Sequence, residues 1–184
     1  MAANKSIFAT CFIFLVLVFA SSLTAALGQD TTAADIKYEE EYNRALAIGN
    51  SKDQPAKQAE KFLTFFKDNL NADPKIMLYA DGIFLQDLEK LNTQKDYAAV
   101  ASLAERAVKL RPLFGEAYLH YGFALKNQQK LPEAINAFAK CSVIRNQYMA
   151  RAKQQLDLAY RAAHNNSLVG EDKLIIEIKK QLKQ

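Results

Sequence analysis

The chain has 184 residues, with 24 lysines and arginines against 20 aspartates and glutamates, a formal charge of +4, and half of its residues are hydrophobic. So mild a balance does not imply nucleic-acid binding. Two histidines, two cysteines and six glycines leave little material for a metal centre, a disulfide framework or a phosphate loop. No serine elbow or paired-cysteine motif occurs either, so the reading is of a non-enzyme with no cofactor and no metal site.

The N-terminus carries Lys5, an apolar run from Ile7 to Ala20 relieved only by Thr10, and then a stretch of small residues reaching Ala26 and Gly28. This is the pattern of a secretory signal peptide over residues 1–28, with cleavage after Gly28 expected and cleavage after Ala26 as the second choice. The run from Ile7 to Ala20 falls short of the roughly 20 residues that a spanning helix needs, so removal is expected over retention as an anchor. Cys11 leaves with the signal. Lys5 is the only charge in that segment, so the remaining chain carries 23 basic and 20 acidic groups, a formal +3. The expected location is exported, periplasmic or secreted.

Downstream, apolar spacing at helical intervals predicts eight helices. Ile36, Tyr42, Leu46 and Ile48 mark a first over about 31–50, stopped by Gly49 and Asn50. The second, about 54–70, has Pro55 in its first turn and an apolar face of Phe62, Phe65, Phe66 and Leu70. Four more are expected at about 75–92, 96–110, 114–128 and 131–145, with turns at Asn92 and Thr93, at Pro112, and from Gln128 to Lys130. A seventh, about 147–164, ends at the pair Asn165 and Asn166, where Asn165 opens a glycosylation sequon completed by Ser167. An eighth, about 171–183, carries Leu174, Ile175, Ile178 and Leu182 on one face and Lys173, Lys179, Lys180 and Lys183 elsewhere. Alternating stretches are absent, so the class is all-α.

Cut at Asp81 and Gly115, the chain gives two consecutive blocks of equal length, 81–114 and 115–148. In the second block Tyr118, Leu125 and Phe138 supply large residues at places 4, 11 and 24, while Gly122, Ala134 and Cys141 supply small ones at places 8, 20 and 27. Small residues suit a helix crossing and large ones the space around it. The first block matches through Phe84, Leu91, Ala107 and Pro112, and departs from the pattern at Asp87, Leu88, Val100 and Ala104. A degenerate copy lies over 40–73 through Leu46, Ala47, Ala59 and Leu63, with Pro74 to Ala80 inserted after it.

In length, about 34 residues, and in these positions the blocks resemble tetratricopeptide repeats (TPR). The resemblance implies a TPR-like α-solenoid of antiparallel helix pairs over 29–184, with capping helices over about 147–183. It also implies a concave groove lined by places 2, 5, 9, 12 and 13 of the first helices. Those are Gly82, Leu85, Glu89, Asn92 and Thr93 in one block, and Glu116, Leu119, Phe123, Lys126 and Asn127 in the next. Such arrays are protein-binding scaffolds, so the expected partner is a peptide or protein, with no nucleic acid. Leu85 and Glu89 stand where chaperone-carboxylate clamps place lysine and asparagine, and a buried glutamate would repel a carboxylate, which argues against that ligand. Folding of the last helices over these side chains is the rival to an open groove. Docking of the basic last helix on anionic lipid or polymer is the rival function. His120, Cys141 and the run Glu39 to Glu41 are expected to be a structural histidine, an inert buried thiol and a solvated face.

Overall fold

The computed structural model describes residues 32–183. The signal-peptide segment therefore lies outside the described residues. Among those described there are eight α-helices and no strand: α1 (Ala33–Gly49), α2 (Pro55–Asp68), α3 (Pro74–Thr93), α4 (Tyr97–Leu110), α5 (Gly115–Asn127), α6 (Leu131–Val143), α7 (Met149–Ala163) and α8 (Glu171–Gln181). The chain divides into two units, Met1–Glu40 and Glu41–Gln184.

Of the first unit the described part is the opening of α1. Its start is set by a reciprocal cap. Asp35 N donates to Thr32 Oγ1 at 3.2 Å, while Thr32 N and Thr32 Oγ1 donate to Asp35 Oδ2 at 3.0 and 2.6 Å. That exchange satisfies amides with no partner inside the helix. The bonds from Thr32 hold the Asp35 carboxyl below its ordinary pKa.

In the second unit each remaining helix starts or stops for a local reason. Pro55, Pro74 and Pro132 sit in first turns, where a missing amide costs nothing. Asp73 accepts from Lys75 N at 2.8 Å and Asp96 from Ala99 N at 3.1 Å, capping α3 and α4. Pro74 to Ala80, inserted ahead of the first full block, form the first two turns of α3, in keeping with the helix expected over about 75–92, and the helix has 20 residues in all. The turn after α3 is displaced from Asn92 and Thr93: the left-handed residue is Lys95, with φ 61°.

The same turn recurs one block later, where Gln129 has φ 62°. Asp96 N donates to Leu91 O and Lys130 N to Leu125 O, each at 2.9 Å, and Lys95 N to Asn92 O and Gln129 N to Lys126 O, each at 3.0 Å. Both helices thus end in the six-to-one closure of a Schellman turn. Gln128 Nε2 then donates 2.7 Å to Tyr97 O, tying the second turn to the start of α4.

Consecutive helices from α2 to α7 pack on one another, and alternate ones also meet: α2 with α4, α3 with α5, and α6 with α8. Two aromatic groups fill the interior. In one, Phe66 stands edge-on to Phe84 at 5.4 Å and to Phe114 at 6.2 Å. Arg111 closes this group, its guanidinium 5.1 Å from the Phe66 ring and 4.5 Å from that of Phe114, while its two nitrogens clasp both oxygens of Asp81. In the other, Phe138 of α6 lies over Gly122 of α5 so closely that a Cβ on Gly122 would sit 2.5 Å from the ring. Phe123 stacks edge-on against the same ring at 5.4 Å.

Two departures of the first block from the repeat pattern, Leu88 and Ala104, compensate each other in volume. Leu88 and Ala104 occupy the places of Gly122 and Phe138 and, like Phe138, are fully buried. Large and small have exchanged sides of the helix pair, which keeps the summed volume near that of the second block. Asp87 is another matter. It is fully buried, Lys90 donates to its Oδ1 at 3.0 Å, and its Oδ2 has no partner. Burial raises its pKa against the pull of Lys90.

α8 lies against α6 with Ile178 buried, and Lys173, Lys179, Lys180 and, just past its end, Lys183 are exposed. It is also tied to α7. Lys153 donates 2.6 Å to the buried Glu171 and also binds Asp157, and Tyr160 Oη donates 3.2 Å to Val169 O beside the left-handed Gly170.

Candidate functional site

The two sets of residues expected to line a groove lie on neighbouring helices. On α3, Leu85 and Asn92 are half-buried while Gly82, Glu89 and Thr93 are exposed. On α5, Glu116 and Phe123 are half-buried and Lys126 and Asn127 are exposed. Asn127 Nδ2 donates 2.9 Å to Phe123 O, and Thr93 Oγ1 donates 3.0 Å to Glu89 O, so these two polar side chains serve their own helix ends.

Leu119 does not belong to this face. It is 1 % exposed and forms part of the core. α5 is packed by α3, α4 and α6, and side chains of α7 reach its remaining side, so little of the helix is left open. Glu89 departs from expectation in the other direction. The repeat pattern makes it a buried carboxylate, yet its side chain is 69 % exposed.

What joins α3 to α5 is His120. Its Nδ1 lies 3.2 Å from Asn92 Nδ2 and 3.7 Å from Glu89 Oε2, and the residue is 9 % exposed. The short approach to an amide nitrogen requires Nδ1 to accept, which places the proton of the neutral ring on Nε2. Burial lowers the His120 pKa. Arg151 pushes the same way and Glu89 opposes both. An unfolded histidine titrates near its ordinary value of about 6.5, so below that pH the unfolded chain binds more protons than the folded one and stability falls as pH falls. A melting series from pH 7 to 5 should show the loss for the parent and a flatter profile for His120→Gln. Parallel profiles for the two would contradict it.

Three residues complete the face that sequence reasoning left out. Arg151 of α7 lies 5.1 Å from the Phe123 ring, Gln155 accepts from Lys126 Nζ at 3.3 Å, and Leu78, two turns before Leu85 on α3, is 74 % exposed. Leu78 was hidden because it falls among the residues read as an insertion. Arg151 and Gln155 lie beyond the second block, and no position in the repeat pattern selects them. Cys141 is buried as expected, and burial drives its thiol up to about 12, which makes it a poor nucleophile. Among the described residues no group of three or more acidic, histidine or cysteine side chains could hold a metal ion, and no helix is long and apolar enough to cross a membrane.

No family model matches the chain, and no curated protein and no solved structure matches it either. Its function must be argued from the face itself. That face, built by α3, α5 and α7, presents apolar Leu78, Leu85 and part of Phe123 beside Glu89, Lys126 and Arg151. It offers apolar area and charges of both signs.

Proposed function

We propose that the chain is an exported TPR-like scaffold that holds a peptide or partner protein against the face shared by α3, α5 and α7, in the assembly of an envelope or secreted complex. The observation that carries this is the apolar line on α3. Leu78 and Leu85 stand two turns apart on one side of α3, exposed and half-exposed, with exposed Glu89 on the same helix and half-buried Phe123 and exposed Lys126 on the α5 helix packed against it. An exposed apolar strip with a polar rim is the usual surface form of a protein-binding site. The solenoid reading is supported by the turns at Lys95 and Gln129, which share one hydrogen-bonding pattern and stand one block length apart. It is supported also by the pairing of α3 with α5 and of α6 with α8, the neighbour pattern that stacked helix pairs produce. Export rests on residues 1–28.

The second reading, docking on anionic lipid or polymer through α8, draws on the exposure of Lys173, Lys179, Lys180 and Lys183 on and just past one short helix. Salt separates the two, since lysine docking weakens steeply as salt rises and apolar docking does not. With the tagged full chain as bait in its native host, the scaffold reading expects a protein retained in moderate and high salt. That protein should be lost on Leu78→Glu with Lys126→Glu, two exposed changes that leave helicity intact. Salt-sensitive retention of lipid or polymer by parent and variant alike would overturn it in favour of the second reading.

A further inference from the structure

A second concavity lies away from the α3–α5–α7 face. α2 packs on α4 and α6 packs on α8, but α4 and α6 stand apart, and the gap between them is a cleft of about 780 Å³ floored by Tyr118 and Tyr121 of α5. Pro112 and Pro132 lie along its walls, and Leu182, just past α8, lines it as well. Its volume falls within the roughly 300–1,000 Å³ of ligand sites.

The chemistry of the lining selects a kind of ligand. Lys109 is neutralised by Glu105 at 2.7 Å, and Lys140, 5.4 Å from the Tyr118 ring, shares the cleft with Glu133. Two charges of each sign leave no net attraction for an ion of either kind. The hydroxyls of Tyr118 and Tyr121 and the Asn136 amide, by contrast, have no hydrogen-bond partner among the described residues. Together with Lys140 they are donors that line the cleft beside two aromatic rings. A helical peptide would bring its carbonyls already satisfied. A polyproline II strand brings every carbonyl free, flat rings to lay on tyrosine, and little conformational entropy to lose.

We propose that this cleft is a binding site for an uncharged, proline-rich peptide in the extended polyproline II conformation, with Tyr118, Tyr121 and Lys140 as its floor and Asn136 as a carbonyl donor. The inference does not depend on what the α3–α5–α7 face binds.

The test is a titration of the isotope-labelled full chain with an acetylated, amidated octaproline, followed by amide chemical shifts, beside a glycine–serine octapeptide and a neutral oligosaccharide. Saturable shifts confined to α4, α5 and α6 around the cleft are expected with octaproline alone. Tyr121→Phe and Asn136→Ala, each removing one hydrogen bond, should each weaken binding by up to about tenfold without loss of helical circular dichroism. Absence of saturable shifts would overturn the proposal. So would equal binding of the glycine–serine peptide, binding of the oligosaccharide instead, shifts centred on Leu78 and Leu85, or unchanged affinity in both variants.

Discussion

Gly122→Leu should unfold the α5–α6 pair at temperatures where the parent is intact. The missing side chain leaves room that the Phe138 ring already fills: a Cβ at position 122 would lie 2.5, 2.6 and 3.0 Å from three of its carbons. The ring cannot swing aside, since it is fully buried and has Phe123 edge-on against it at 5.4 Å. Overpacking of this kind costs about 1–3 kcal/mol for extra methylenes in a core that can adjust. Here the first added carbon already overlaps a ring, and the upper figure is the floor. At about 2–4 °C per kcal/mol for a chain of this size, the melting point should fall by about 10 °C. The first block supplies its own rescue. Leu88 and Ala104, both fully buried, hold the equivalent places with large and small exchanged, so Gly122→Leu combined with Phe138→Ala should recover most of the loss. A single variant as stable as the parent would show that α5 and α6 do not cross at Gly122.

Leu119→Glu is the second change expected to be severe. It puts a carboxylate where a side chain is 1 % exposed. Of the cations on the same face, Lys126 is engaged with Gln155 and Arg151 lies over Phe123. An unpaired charge at such a site costs about 3–5 kcal/mol or takes up a proton, and the lost leucine packing adds to that. Urea unfolding should show the midpoint collapse, and it should show that of Leu78→Glu unmoved, because substitutions at exposed sites usually stay within about 0.5 kcal/mol. Equal tolerance of both changes would mean that Leu119 faces water.

The contrast between Leu78 and Leu119 shows where the sequence was legible. The eight helices fall close to their expected bounds at almost every end, because Pro55, Pro74, Pro132, Gly49 and the asparagine pair at 165 and 166 act through local backbone geometry that any neighbour must respect. Gly122 and Phe138 were legible as a small and a large residue at a crossing, and they do meet. Leu88 and Ala104 read as faults because a pattern registers each position singly, whereas packing conserves the volume of the pair. Leu119 was misplaced because the repeat pattern gives its place to an open groove, whereas here α3, α4 and α6 all pack on α5 and the side chain is in the core. His120 could be read as structural but not as the link between α3 and α5. Its partners Glu89 and Asn92 belong to the preceding block, and the repeat pattern gives both of them to a partner's surface. Lys95 ends α3 in a left-handed conformation that glycine usually supplies, so the turn was placed early, at Asn92 and Thr93.

The proposed scaffold requires that two consecutive blocks, 81–114 and 115–148, pack in one register. Proton–proton nuclear Overhauser spectra of the labelled chain test this most directly. The α-protons of Gly122 should show cross-peaks to the Phe138 ring and the upfield shifts that lie above an aromatic face, and in the same spectra the Leu88 methyls should show cross-peaks to the Ala104 methyl. Both sets are predicted. Absence of the first would remove the helix crossing, and absence of the second alone would break the repeat.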